Sequence, residues 1–370
     1  MEEARISFYP VFQPFTFLYK TGVQLRNLLF DRRLLPSEQY PIPVICVGNI
    51  AAGGTGKTPL VEYLIRMLSA EYRIAVLSRG YKRKSSGYVL ADEQSTSVEI
   101  GDEACQIKWK YPQVIVAVDG NRRRGMRNLL AMPEEIRPQV VLLDDGYQHR
   151  YIQPSFSIVV TDYNRLFYKD KLLPTGRLRE PVQSVARADM VLVGKCPEII
   201  EQEEYRDILK QVSRWIREED IHFSQISYQQ PECVFPQACL PCKPENIQKD
   251  DDVLLITGIA NPAPLIAEIR KYSNKVRVIT FGDHHAFKKK DMQKIQSELA
   301  KMTSGYPLIF CTEKDAARIR NNPLFADEWK SRMYYIPIKT HFASNHSQTL
   351  FERRIIQHIK QYMQPCNEQK

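Results

Sequence analysis

Between the apolar run "PVICVGNI" and the helical pattern "PLVEYLIRMLSAEY" lie Ala51, Ala52, Gly53, Gly54, Thr55, Gly56, Lys57 and Thr58. A glycine-rich turn from strand to helix leaves successive backbone N–H groups pointing outward, and the helix dipole adds positive potential at the same place. Such a loop holds phosphate. Glycines let the backbone close around phosphate oxygens, Lys57 reaches the β- and γ-phosphates of a nucleotide, and the Thr58 hydroxyl is suited to ligate Mg²⁺. Pro59, at the helix start, gives up only an N–H that has no partner within the helix. The strict pattern GxxxxGK[ST] asks for glycine where this chain has Ala51, but the strand, loop and helix context preserves the reading. Residues 51–58 are therefore assigned to ATP.

The segment "RIAVLSRGY" then reads as a second strand, which completes a βαβ unit. Further strands are expected at "PQVIVAVDG", "VVLLDDG", "SFSIVVTD" and "ADMVLVGK". Near-continuous apolar strands alternating with helices predict a P-loop NTPase-like α/β fold, a mostly parallel sheet with helices on both faces. At 370 residues the chain is long enough for two lobes. The P-loop lobe is placed at 36–220. Regularity lapses over 221–250, read as a linker containing extended structure. A second, smaller α/β lobe is expected over 251–370, with strands at "VLLITGI", "VRVITFG", "PLIFCTEK" and "MYYIPIK" and a final helix "SQTLFERRIIQHIKQYMQ".

Residues 1–35 stand apart. They are rich in Phe, Tyr and Leu, yet Pro10, Gln13, Pro14 and Lys20 interrupt any continuous apolar core, so neither a cleavable signal nor a bilayer span is expected. From Phe15 onward, Phe15, Leu18, Leu25, Leu28 and Leu29 share one helical face with cations beside it. Two readings follow: a helix lying in a membrane surface, or one packing its apolar stripe on the protein's own core.

A formal charge of +9 favours an anionic partner: nucleic acid, a phosphorylated small molecule or an acidic membrane. Of eight cysteines, most sit singly in apolar runs and read as reduced core residues. Cys233, Cys239 and Cys242 form the one cluster, three of the four ligands a structural zinc would need.

A P-loop needs a carboxylate at the end of a neighbouring strand to complete its metal shell, and "VVLLDDGYQHR" supplies Asp144 and Asp145. The alternative is a solvated acidic turn. A kinase also needs a proton acceptor and cations. "GDEACQ" offers Asp102 and Glu103, "FGDHHAF" offers Asp283, His284 and His285, and "SRGYKRK", "GNRRRG" and "LPTGRLREP" carry the cations. A guanine-reading N-K-x-D motif is absent; "TEKD" echoes it only superficially.

Together, "VGNIAAGGTGKTPLVEYL", "LSRGYKR", "GDEA", "LLDDGYQHR", "LLPTGRLREP", "TGIANP", "DHHAF" and "TEKDAARI" resemble the tetraacyldisaccharide 4'-kinases, the lipid A 4'-kinases of Gram-negative bacteria, from about residue 40 to 320. The resemblance implies ATP-dependent phosphorylation of the 4'-hydroxyl of an acylated glucosamine disaccharide 1-phosphate in lipid A biosynthesis. It implies a peripheral enzyme on the cytoplasmic face of the inner membrane, anchored through the amino-terminal helix. Carried over by position, Asp102 is the base, His284 its partner across the lobes, and Lys57 the catalytic lysine. Thr58, Asp144 and Asp145 hold Mg²⁺, and Arg79, Glu103, Arg122, Gln148, His149, Arg177 and Arg179 are assigned to the acceptor. No nucleic acid partner is expected, and no oligomer is predicted. The chain departs from the family's pattern at Asn121, which stands where an Asp is usual, and at "LFYKDK", which replaces a short Gly-Asn stretch.

Two other classes use similar elements. A ParA- or MinD-like ATPase shares a GG-rich loop but carries a signature lysine before the two glycines, where this chain has Ala51 and Ala52. A nucleic-acid-dependent ATPase would use the "KRK" and "NRRRG" runs, bind with steep salt dependence, and leave the aromatic amino-terminal helix unexplained.

Overall fold

The computed structural model describes residues 12–238, 247–259, 261–303 and 306–364. Cys239 and Cys242, and with them the cluster weighed as a zinc site, lie outside these residues.

Helix α1 (Gln13–Asp31) precedes the first sheet. The glycine loop joins β1 (Val44–Gly48) to α2 (Lys57–Leu68). Then come β2 (Ile74–Ser78), β3 (Val89–Leu90), α3 (Ser97–Ile100), α4 (Asp102–Lys110), β4 (Ile115–Val118) and α5 (Arg122–Leu130). β5 (Val140–Asp144), β6 (Phe156–Asp162), β7 (Met190–Gly194), α6 (Gln202–Val212) and β8 (Ile221–Tyr228) complete the outward path. The second unit holds β9 (Glu232–Cys233), β10 (Asp252–Thr257), α7 (Ala263–Ile269), β11 (Lys275–Thr280), α8 (Lys289–Leu299), β12 (Leu308–Thr312), α9 (Glu313–Ile319), α10 (Asp327–Lys330) and β13 (Met333–Ile336). The chain returns through β14 (Ile338–Phe342) to α11 (Asn345–Met363).

The larger sheet runs β14-β8-β7-β6-β1-β5-β2-β4-β3, parallel throughout except for the antiparallel strand at each edge. β1 therefore lies between two parallel neighbours, with Val47 opposite Asp144 of β5. Because strand side chains alternate faces, Ile45, Val47, Val76, Leu142 and Ile158 pack under α2, α4 and α11. Cys46, Leu77, Val141, Leu143 and Val191 pack under α5 and α6. Burial on both faces is what makes these strands read as unbroken apolar runs. The smaller sheet, β11-β10-β12-β13-β9, is parallel except at β9 and is likewise covered on both faces.

Three features differ from the sequence expectation. Ile221–Tyr228, inside the expected linker, is a strand of the larger sheet. It lacks an apolar run because His222 and Ser224 are buried polar residues, and His222 Nδ1 meets Ser347 Oγ of α11 at 3.1 Å. "MYYIPIK" is two strands in two sheets, split at Pro337, whose missing N–H interrupts any ladder. The final helix consequently belongs to the larger unit: Phe351, Ile355 and Ile359, spaced by four, pack on its core. The 251–370 lobe thus ends at β13.

α1 is turned against its amphipathic logic. Its polar side holds the body of the protein: Thr16 donates to Thr175 Oγ1 at 3.0 Å, Tyr19 to the Arg179 carbonyl at 2.9 Å, and Arg26 to the Gln148 carbonyl at 2.9 Å. Phe15, Phe17, Leu18 and Leu25 face outward, each more than half exposed. The reading in which this stripe packs on the protein's own core does not hold. No described helix is long and apolar enough to cross a membrane.

The docking of α11 is testable. Phe351 is fully buried against Phe342, His222 and the ring of Tyr63 on α2, with centroids 4.7, 5.3 and 6.1 Å away. Phe351→Ala is expected to lower stability by about 3–5 kcal/mol in a urea titration, the cost of a large cavity in a packed core.

Candidate active site

The loop after β1 owes its shape to backbone conformations open to glycine. Gly53 (φ 112°) and Gly56 (φ 95°) are both left-handed, and Gly56 caps α2 with no side chain accepting from its first turn. Those N–H groups remain available to an anion. Neighbours fix the loop from outside. Asn49 Nδ2 donates to Thr55 Oγ1 at 2.9 Å, and Gln148 donates to the Asn49 carbonyl. Lys195, at the end of β7 and itself left-handed (φ 59°), donates to the Gly54 carbonyl and to Asp162 Oδ2 at 2.7 Å.

The "LPTGRLREP" stretch forms a strap along the loop's entry. Leu178 bridges Ala51, Ala52 N–H donates to the Arg177 carbonyl at 2.7 Å, and Arg179 N–H donates to the Ile50 carbonyl at 2.7 Å. The Arg179 guanidinium lies on Asp145 Oδ1 (3.1 Å) and on Asn49. Of the residues expected at the acceptor, Gln148, Arg177 and Arg179 here also brace the glycine loop.

Asp144 and Asp145 leave β5 beside the loop but differ sharply. Asp145, left-handed (φ 50°), faces Lys57 Nζ at 3.4 Å and Arg179. Burial raises its proton affinity, but Lys57 and Arg179 outweigh it and hold the carboxyl below its usual range. Asp144 is 5% exposed, and its Oδ1 has no hydrogen-bond partner. Burial, then Asp145 and Glu103, push it up to about 7. Next to the pair, Arg122 is buried with an unpartnered Nε, and burial and Arg79 lower its proton affinity. His149, whose Nε2 is also unpartnered, is pushed down to about 4 by burial and by Arg122, Arg26, Arg79 and Arg123. Arg79 and Arg122 therefore gather positive potential beside the two carboxylates, and it helps keep His149 neutral. Asn121, at the departure from the family pattern, caps α5 by accepting from Arg124 N–H at 3.2 Å. Asp119 is fully buried and takes the Arg124 guanidinium on both oxygens, at 2.7 and 2.8 Å.

Asp102 opens α4, and His284 reaches it from the smaller unit with Nδ1 2.7 Å from Oδ2. Lys314 Nζ lies 3.3 Å from the other ring nitrogen. An ammonium only donates, so Nε2 accepts and Nδ1 carries the hydrogen given to Asp102. His284 is left-handed (φ 59°), and Tyr81 meets its ring edge-on at 5.3 Å. Lys314 also pairs with Glu103 at 2.8 Å. The adjacent His285 does something else: it stacks on Phe281 and bonds Asp291 at 2.8 Å. Burial would raise the Asp102 pKa, but donors from His284 and Arg318 outweigh it and hold it at about 2.

Four contributors escaped residue-level reading: Asn49, Lys195, Lys314 and Arg318. The last two carried a signal, since "TEKDAARI" places cations four apart on one helical face directly after a strand. Lys195 follows the apolar strand "MVLVG", as Asp144 ends its own strand.

Comparison with known proteins bears on what this arrangement serves. A family model described as tetraacyldisaccharide-1-P 4'-kinase matches residues 8–358. The tetraacyldisaccharide 4'-kinase of Parabacteroides distasonis is 48% identical over 354 residues, covering 96% of this chain and 95% of the relative. That of Bacteroides thetaiotaomicron is 42% identical over 367 residues, covering 98% and 96%. The crystal structure of LpxK from Aquifex aeolicus in complex with ATP superposes with a TM-score of 0.70 at 25% identity, covering 94% of this chain and 98% of that one. A partition-type ATPase is thereby set aside. Matched along nearly its whole length in sequence and in fold, the chain belongs to the tetraacyldisaccharide-1-P 4'-kinase family.

Proposed function

We propose that the protein transfers the γ-phosphate of ATP to the 4'-hydroxyl of a tetraacylated glucosamine disaccharide 1-phosphate at the cytoplasmic face of the inner membrane. The observation that carries this reading is the 2.7 Å contact between Asp102 and His284, which joins a carboxylate of the phosphate-loop unit to an imidazole of the smaller one.

In the proposed reaction the loop N–H groups and Lys57 hold the phosphates, with Lys57 exchanging Asp145 for the γ-phosphate. The acceptor oxygen forms a bond to the γ-phosphorus as the bond to the β,γ-bridging oxygen breaks. The hydroxyl proton passes to Asp102, and ADP leaves. The His284 N–H keeps the Asp102 carboxylate oriented, and Arg79, Arg122 and His149 serve the anionic acceptor with Glu103 beside them.

Mg²⁺ fits the residues present. A buried carboxylate oxygen without a partner, on a residue next to Asp145, which meets Lys57 one residue before the Thr58 hydroxyl, offers the oxygen donors a hard cation takes. Thr58, Asp144 and Asp145 would hold it, and it would neutralise charge on the phosphates.

The outward apolar face of α1 supports a membrane-surface location. Its cationic side meets the site: Arg26 bonds Gln148 and lies near enough to act on His149, so an acceptor with acyl chains in lipid would present its phosphate to basic residues.

The decisive assay is transfer of labelled γ-phosphate to a detergent-dispersed acylated disaccharide 1-phosphate. Label in the lipid, lost in Lys57→Ala, supports the reading; lipid-independent ATP hydrolysis without labelled lipid sinks it. Asp102→Ala should lower kcat by about 10²–10⁴-fold while nucleotide affinity stays nearly constant.

For the metal, the sign follows from Asp144. Its folded value, about 7, stands above that of the unfolded chain, so the stability it contributes in metal-free protein is full at acid pH and falls as pH rises towards 7. Since the cation takes the carboxylate, thermal stabilisation by Mg²⁺ should be larger at pH 8 than at pH 6, and Asp144→Asn should flatten that difference. Replacing Phe15, Leu18 and Leu25 by Glu should abolish sedimentation with anionic vesicles while leaving ATP binding intact; vesicle binding that persists would move the anchor elsewhere.

A further inference from the structure

Asp102 is gripped by a second group from the smaller unit. Arg318 NH2 lies 2.7 Å from Asp102 Oδ2, the same oxygen that takes the His284 hydrogen. Its other terminal nitrogen, NH1, is 2.8 Å from Asp315 Oδ1 and 3.2 Å from the Gly258 carbonyl. Asp315 is fully buried and in turn accepts from Gly258 N–H at 2.9 Å and Thr312 Oγ1 at 2.7 Å. One end of the fork is therefore tied through Asp315 and Gly258 to the ends of β10 and β12, which leaves the other end aimed at Asp102 on α4. These residues come from "TGIANP" and "TEKDAARI", of which the catalytic reading uses only Lys314.

We propose that Arg318 is a positioning residue for the proton acceptor: it clamps one oxygen of Asp102, leaves the other to the acceptor hydroxyl, and makes that alignment depend on the smaller unit being in place. The proposal rests on the reading of Asp102 as proton acceptor. Among the described residues Oδ1 takes no hydrogen bond, whereas Oδ2 takes two. At 5% side-chain exposure Arg318 is too enclosed to meet substrate, so it acts through Asp102.

Other charges nearby do not duplicate the clamp. On α4 the neighbour is Glu103; on α9 they are Lys314, engaged by Glu103, and Asp315, engaged by Arg318 itself. From the loop after β11 come Asp283, 3.9 Å from Lys314, and His284; from the loop after β2, Lys82 lies over the ring of Tyr81. A carboxylate held this way is ionised and weakly basic, suited to taking a proton only once the hydroxyl oxygen has committed to phosphorus.

The test uses Arg318→Met and Arg318→Lys in the full chain, with kcat and the KM for ATP measured at neutral pH and nucleotide affinity as the control for folding. Losing the fork leaves Asp102 Oδ2 held by His284 alone, so Arg318→Met should lose at least about tenfold in kcat with little change in the KM for ATP. Arg318→Lys keeps the charge without the fork and should lower kcat by a smaller factor, again at unchanged KM. Wild-type kcat in Arg318→Met overturns the proposal, as does a KM for ATP that rises as far as kcat falls. Loss of nucleotide binding in both would assign Arg318 to the fold and overturn it too. Should Arg318→Met alone fail to bind nucleotide, Arg318→Lys decides: a lowered kcat with unchanged KM supports the clamp, and wild-type turnover refutes it. Asp102→Ala separates the two levels: full activity there removes the proton-acceptor reading itself, whereas an inactive Asp102→Ala beside an unaffected Arg318→Met removes only the clamp.

Discussion

Backbone N–H groups at the start of α2 find no acceptor within their own helix, and the rest of the larger unit is organised around keeping them in place and unoccupied. A loop with three glycines has little conformational preference of its own, so its shape must be imposed. Asn49 does this from within, Lys195 from the next strands of the sheet, and the strap from Arg177 to Arg179 by pairing with the loop's entry. The same strap carries Arg179 onto Asp145 and receives Tyr19 from α1. Helix, strap and loop are thus one hydrogen-bonded series. The outward apolar face of α1 follows from it, because its inward face is committed to polar partners.

The boundary between the units joins apolar contacts, such as Trp109 of α4 on Tyr335 of β13 at 4.9 Å, with a buried ionic cluster. Lys110 on α4 bridges Glu62 of α2 and Glu313 of α9, all largely buried, and burial and Glu62 raise the Glu313 pKa. Buried ion pairs of this kind add little net stability but are costly to break singly, so they specify geometry. α9 is thereby set against α2 through Glu313 and Lys110 and against Asp102 through Arg318, from the two ends of the same short helix.

The local grammar of the chain was readable where one short segment carried the whole physics. The phosphate loop needs only a strand, glycines, a lysine and a hydroxyl, and Asp144 and Asp145 need only a strand end. Asp102 with His284 was legible through family likeness, because no periodicity ties residues so far apart in the chain. What escaped is what tertiary context decides. His222 and Ser224 disguise a strand because their partners sit on α11, and Pro337 divides what hydropathy reads as one strand. That Gln148 and Arg179, read as acceptor residues, also meet Asn49 beside the glycine loop is a contact only the fold supplies.

The chain passes between the two sheets twice, after β8 and at Pro337, and these crossings touch: Gln229 N–H donates to the Pro337 carbonyl at 2.8 Å, continuing the antiparallel pairing of Tyr228 with Ile338. Two adjacent covalent attachments restrict the smaller unit far more than one flexible linker would, leaving rotation about a single line as its softest motion. His284 and Arg318 therefore meet Asp102 at an effective concentration set by covalent geometry, not by the reach of a tether. Assembling a site from two lobes then costs little more entropy than building it within one.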